Sequence, residues 1–537
     1  MAAEHYEDEY DDEQGDDLEA PLEKPGWLRD TPFWAISAVL HLVLVLILIA
    51  FTIPKELTTK DDEVQIVVRT PRKPPPYDPN LKRAMEKKPK IPDPNKVKDP
   101  IIQKKLDDVT PDIPKGTDLN NLTNVELDST HLNTSIGVNS GASGAYGERW
   151  GKGSLVREGG SEGSEEAVRA ALEWLRRHQS PEGNWSCHDF TKQCKKICTS
   201  LQPERYGDGR GFEEHDVGVT ALAMLAFTGY GHTHRDGVFP EYVEVLRKAV
   251  GYMKKIQARS ADPTLNGRYG SGDHEQWIYD HSIATMAMGE LLVMSNDIIG
   301  LKRSVTDAVK LCLRAQNDGF GWRYGVQPGD NDTSVTGWMV LALKTAKNAR
   351  LDIPNEEFER AFKGALNWFD RATASNGKTG YSVPGDEGSR LAKVYPDPYP
   401  YSKELSCMTA VGVLCRLFAG ESRSSPVVKQ GVDILMRSTP AWLEQKGRSL
   451  STINIYYWYY GSYALFQFGG ADWKKWNDDM QAALLPTQRQ GNIDEDGSWD
   501  PIGEWGVAGG RVYATAIGAM TLEVYYRFTR AQQGVGL

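Results

Sequence analysis

Three aspartates stand at the head of apolar segments, Asp216, Asp280 and Asp332, with Glu404 near the matching place of a fourth. Aligning six such segments on a shared Val/Ile-Thr/Ala step puts Asn454 and Arg511 at the same place in the other two. His215 and His281 sit beside two of the aspartates, and Tyr456, Tyr457, Trp458, Tyr459 and Tyr460 form an aromatic run behind Asn454. If these segments are helices whose N-termini share one opening, their dipoles favour anions there. Four carboxylates and two imidazoles could then donate and accept protons around a bound ligand. The plainer reading, favoured for any single aspartate, is that each caps its own helix. A shared cavity role belongs to the set.

A second group is Cys187, His188, Cys194 and Cys198. Two of its cysteines are spaced i and i+4, so both can face one way on a helical turn. The group supplies the four ligands of a tetrahedral metal site, but the spacing matches no zinc motif. A disulfide with one thiol left over is the favoured reading, with metal or free thiols as alternatives. Cys312, Cys407 and Cys415 fall inside apolar helical patterns and read as small buried residues.

The elements that must position these residues recur. From 163 to 530 one pattern repeats six times. A first helix carries apolar residues at i, i+3, i+4 and i+7 with one charged face, as in EEAVRAALEWLRRHQ. A second, such as HDVGVTALAMLAF, is apolar nearly all round and should be buried on both sides. Six amphipathic helices around six buried ones predict an all-α fold, an (α/α)6 toroid of six helix pairs. Closure removes the end repeats that other helical stacks must cap.

The turns between the paired helices read HQSPEGNW (His178 to Trp185), AQNDGFGW (Ala315 to Trp322) and TQRQGNIDEDGSW (Thr487 to Trp499). They resemble the QW repeats of squalene-hopene-type cyclases and of prenyltransferase β subunits, in the terpenoid cyclase/protein prenyltransferase superfamily. That resemblance implies the toroid and is a weak guide to function, because the fold also hosts thioester domains and glycan-active enzymes. In the cyclases the middle Asp of a DxDD motif protonates an alkene. The matching stretch here is Gly329-Asp330-Asn331-Asp332-Thr333-Ser334. Placing Asp332-Thr333 on the last Asp and Thr leaves Asn331 in the acid position, and an amide cannot donate that proton; a one-residue shift would let Asp330 or Asp332 serve. The Asp, Cys and His zinc set of the prenyltransferases and the Cys-Gly-Glu-Gln thioester run are not found. No cofactor is implied.

Ahead of the repeats the chain changes character. The 537 residues carry a formal net charge of -11, which argues against nucleic acid as the main partner. Much of that charge lies in an acidic, disordered tail over 1–32. The apolar run over 33–53 is about 21 residues, enough to cross a bilayer as one helix. Ser37 and His41 share a face within it. Ser-x-x-x-His in a single N-terminal span followed by Lys/Pro-rich sequence resembles the TonB-type energy transducers, which implies a motor complex as partner on that face. A Lys/Pro-rich linker over 54–115 and a Gly/Ser/Asn-rich joint over 116–162 complete the tether. Lys and Arg flanking the span favour a cytoplasmic C-terminal side, whereas the TonB-like pattern and the spacer place the toroid outside the inner membrane, in the periplasm. The latter placement is adopted.

The sequence therefore predicts a single-pass protein of the inner membrane whose toroid binds a ligand or protein partner without catalysis. A squalene-hopene-like cyclase or other isoprenoid enzyme, using Asp332 or Asp330, is the first alternative. A glycan hydrolase or lyase is the second. It would need two carboxylates about 5–9.5 Å apart, with Glu404 and Asp216 or Asp332 as candidates.

Overall fold

The computed structural model describes residue 41 and residues 159–195, 209–258, 264–386, 405–444 and 451–527. The tail, the linker, Ser37, Cys198 and Glu404 lie outside the described residues, as do the joint up to residue 158 and the apolar span apart from His41. No described helix is long and apolar enough to cross a membrane. The chain divides into two units, Met1–Asp99 and Pro100–Leu537, and the helices below belong to the second.

Among the described residues of this unit, twelve long helices alternate in character: α1 (Glu162–Arg177), α2 (Asp216–Gly229), α3 (Pro240–Ile256), α4 (Trp277–Ser295), α5 (Ile298–Ala315), α6 (Thr333–Lys347), α7 (Asn355–Ala372), α8 (Cys407–Phe418), α9 (Pro426–Leu435), α10 (Ile455–Phe468), α11 (Gly470–Leu484) and α12 (Gly506–Leu522). A single turn, α13 (Val524–Arg527), follows. No strand forms among the described residues. The even-numbered helices are buried almost throughout, as their uniform apolarity demands. They pack in sequence, α2 on α4, α4 on α6, α6 on α8, α8 on α10 and α10 on α12, and α12 returns to α2. The inner ring is closed. Each odd-numbered helix lies against an inner neighbour with its apolar stripe inward; α1, for example, buries Ala167, Val168, Ala171, Leu172, Trp174 and Leu175.

The turns show why Gln, Gly and Trp recur. Trp185, Trp322 and Trp499 fold back so that each indole N–H donates to a carbonyl of the preceding outer helix: Leu175 at 2.7 Å, Cys312 at 2.8 Å and Leu484 at 2.9 Å. Each Trp amide then donates to a threonine on the following inner helix, Thr220, Thr336 or Thr515. The glutamine bridges outward. Gln179 donates to Gly183 of its own turn and to Val245 of α3. Gln257 does the same to Gly267 and Ser304 of α5, and Gln316 to Phe320 and Ala361 of α7. Gln488 closes the circuit, donating to Gly497 and to Ala167 of α1. Gly183 has φ 100° and lies against the Lys248 carbonyl, so no side chain fits there. Each carboxamide thus satisfies one local and one distant backbone acceptor, tying an outer helix to the next. Gln488→Ala strands two buried carbonyls and is expected to cost about 1–3 kcal/mol. Chemical unfolding followed by circular dichroism measures it, and no change would refute the stapling role.

Side chains from inner helices that are not ring neighbours meet inside. Trp338 of α6 stacks on Tyr459 of α10 with centroids 5.8 Å apart and meets Tyr460 edge-on at 5.5 Å. Contact between α6 and α10 passes over α8, so these rings fill the interior. At the C-terminal ends of the inner helices a fully buried Arg527 closes the ring. Its Nη2 donates to both carboxylate oxygens of Glu290, at 2.8 and 2.9 Å. Its Nη1 donates to the Leu225 carbonyl at 2.8 Å and to Glu523 at 3.2 Å. The toroid therefore presents its chemistry at the other end, where the inner helices begin.

Candidate functional site

Asp332 is placed by both neighbouring repeats. Its amide donates to the Trp322 carbonyl at 2.9 Å, and the next residue, Thr333, donates through its amide to Tyr381 and through its hydroxyl to Gly380. Extended backbone at Asp332 (φ -136°, ψ 153°) makes it the N-cap of α6, with Oδ1 accepting from the Val335 amide at 2.7 Å. The capping role expected for a lone aspartate is met by one oxygen. The other, Oδ2, is buried and makes no hydrogen bond. Burial pushes the Asp332 pKa up to about 7, and the Val335 amide and nearby Arg323 and Tyr381 lower it only in part. The carboxyl therefore keeps its proton up to about neutrality, and its Oδ2 has no partner.

Tyr279, Tyr324, Tyr381 and Tyr456 all have pKa values raised chiefly by burial and further by the Asp332 charge. The Tyr324 and Tyr381 hydroxyls are 2.7 Å apart, and Tyr279 lies 6.0 Å from Tyr324 between centroids. Arg323 spans Tyr324 and Tyr381 at 5.6 and 5.7 Å and pairs with Asp330 at 2.8 Å. Beneath, Tyr456 meets Ser334 at 3.0 Å across the ring, and the Tyr460 and Tyr513 hydroxyls are buried without a partner.

A second acidic group occupies the α2–α4 side. Asp216 Oδ1 accepts from the Cys187 amide at 2.6 Å, and burial raises its pKa to about 6. Asp280 sits one turn into α4, fully buried, with its pKa raised chiefly by burial. Its Oδ2 lies 3.0 Å from His274 Nε2. His274 meets His215 edge-on with centroids 5.6 Å apart.

The other candidates separate. Asn454 caps α10, accepting from the Tyr457 amide at 3.0 Å, and its amide group reaches Glu504 at 3.2 Å and Cys407 at 3.4 Å. Arg511 leaves the expected ring. Gly510, with φ 65°, kinks α12 just before it, and its guanidinium is buried against Asp500 at 2.7 Å and Ser498 at 2.9 Å. His281 turns outward rather than into a cavity. Its Nδ1 accepts from the Tyr269 amide and its Nε2 faces the Ala308 carbonyl of α5, and burial lowers its pKa to about 3. Asp330 is exposed beside Arg323, and Asn331 accepts from Asn317 at 3.0 Å, so neither occupies an acid position. Trp458 packs towards Trp442, at 5.9 Å.

In the cysteine group, Cys194 is disulfide-bonded, Cys187 is a buried free thiol and His188 is on the surface beside Asp189. Cys194 also lies 3.7 Å from His178 Nε2, which is 3.5 Å from Asp494. Burial lowers the His178 pKa.

Sequence reasoning missed Tyr279, Tyr324, Tyr381 and His274. The last three lie in turns, outside any periodic pattern. Tyr279 had a signal, adjacency to Asp280. Together the groups offer stacking faces, hydroxyls and a carboxyl that can donate or accept a proton.

No known family model matches the chain, and no curated protein matches it in sequence. Among solved structures it is similar to an unsaturated glucuronyl hydrolase from Bacillus sp. GL1, at 11% identity and TM-score 0.45, over 68% of this chain and 96% of that one. It is similar to an inactive alpha-1,6-mannanase variant of Salegentibacter in complex with alpha-1,6-mannotriose, at 11% identity and TM-score 0.43, over 68% and 99%. A type II terpene cyclase from Scytonema, in complex with geranylgeranyl dihydroxybenzoate, is similar at 12% identity and TM-score 0.40, over 68% and 97%.

Proposed function

We propose that the chain is a membrane-tethered toroid that binds a hydroxyl-rich, glycan-like ligand at the mouth where the inner helices begin. The observation that carries this reading is the unpartnered Asp332 oxygen in the repeat that also sets the Tyr324 and Tyr381 hydroxyls against each other under Arg323. Ring faces stack on apolar faces of sugars, while hydroxyls and a carboxyl bind sugar hydroxyls. The tether by a single apolar span, the periplasmic placement and a TonB-type motor acting on the Ser37/His41 face belong to the same proposal. They rest on the sequence alone.

An isoprenoid cyclase needs a long apolar slot beneath its acid. Here Trp338, Tyr459 and Tyr460 pack on one another between α6 and α10, which speaks against such a slot. One observation favours a catalytic reading over simple binding: a carboxyl with a pKa near 7 is suited to protonate a glycosidic oxygen.

Calorimetry on the full-length chain in detergent separates these readings, with gluco-, manno- and N-acetylglucosamine oligosaccharides as one arm and farnesol as the other. An oligosaccharide is expected to bind, and Tyr279→Ala and Tyr324→Ala are each expected to weaken it by about tenfold, or 1.4 kcal/mol. Steady release of reducing ends, lost in Asp332→Asn, would favour catalysis. Binding of farnesol with no affinity for any oligosaccharide would overturn the glycan reading.

A further inference from the structure

We propose that His215, His274 and Asp280 form a binding site for a divalent metal ion, zinc by donor type, on the rim of the mouth. Each residue offers one ligand atom, and the three atoms lie within 4.8 Å of one another. Ligands about 2.0–2.1 Å from a tetrahedral zinc are roughly 3.4 Å apart, so small side-chain rotations bring the set into range. Two imidazoles and one carboxylate leave a fourth position open for water or another ligand.

The carboxylate is held for this role. Asp280 packs against Gly218, where a Cβ would collide with its Oδ1, and the Gly218 amide bonds the carboxyl. Its Oδ2 is buried, points at His274 from 3.0 Å and makes no aligned hydrogen bond. His215 sits where a one-turn helix runs into α2, with its ring edge on His274. The other charges acting on the two imidazoles are Glu214 and Asp273, both acidic, which favours a dication over a bare ion pair. The sequence implied no cofactor and did not single out His274, which lies in a turn. The proposal does not depend on what the mouth binds.

The test uses the full-length chain purified without chelator, stripped of metal and titrated with zinc against a competing chelator dye. One zinc per chain is expected, with sub-micromolar affinity. Loss of partners that only orient metal ligands costs about 10–100-fold, so His215→Ala, His274→Ala and Asp280→Asn should each cost at least about 100-fold. Lys475→Ala, an exposed position on α11, should leave affinity unchanged. Cobalt replacing zinc in the unmodified chain should show the d–d absorption of a low-symmetry site, a readout that needs no variant to fold. Absence of tight zinc binding by the folded chain would overturn the proposal. So would full binding retained in both single-histidine variants.

Discussion

An Asp332→Asn chain is expected to be more stable than the parent at pH 8 by up to about 4 kcal/mol, and equally stable near pH 4. Asp332 has a folded pKa raised by burial to about 7 against an ordinary value of 3.8. Between those values the folded chain keeps a proton that the unfolded chain has lost. Stability contributed by the protonated carboxyl is therefore complete below about pH 4 and disappears as pH rises through 7. At pH 8 the buried carboxylate is ionised at the full cost, on the order of 4 kcal/mol. Asparagine caps a helix as well as aspartate does and carries no charge to desolvate. Denaturant unfolding of both chains across pH 4–8 measures the difference. A gap that stays constant with pH would show that Asp332 is an ordinary cap. A gap that opens with pH marks a carboxyl retained against stability, as functional groups are.

Arg527→Ala is expected to destabilise the toroid by about 3–5 kcal/mol, the cost of leaving buried partners uncompensated. Arg527 and Glu523 are wholly inaccessible and Glu290 nearly so. Arg527 joins the Glu290 carboxylate bidentately while holding the Leu225 carbonyl of α2. A paired Arg527→Met, Glu290→Gln change removes both charges and should lose clearly less than Arg527→Ala alone. Midpoints of guanidinium unfolding read both effects. A loss under about 1 kcal/mol for Arg527→Ala would mean the far end of the ring is not sealed by this pair.

The helix pairs were legible because burial writes itself into periodicity. Uniformly apolar segments became the inner ring, and striped ones became the outer ring. Gln488 returning to α1 shows that the turn motif carries closure as well as local capping. Asp332 was legible as the head of an inner helix, but its acidity was not. That depends on burial inside the closed ring, which residues far away in sequence complete. Arg511 misled because the Val/Ile-Thr/Ala step aligns residues along a straight helix, and the Gly510 kink breaks the register. Arg527 carried no pattern at all. A single basic residue after the last helix reads as a solvated end, and only closure of the ring buries it.

The proposed site lies where the inner helices begin, and the Arg527 pair seals the opposite end. Hydrogen–deuterium exchange on the full-length chain, with and without the best-binding oligosaccharide, addresses this directly. Protection is predicted at 274–281, 322–334 and 379–386, with no change at 225–229, 290–295 and 522–527. Protection confined to the Arg527 end, with the Asp332 side unchanged, would contradict it.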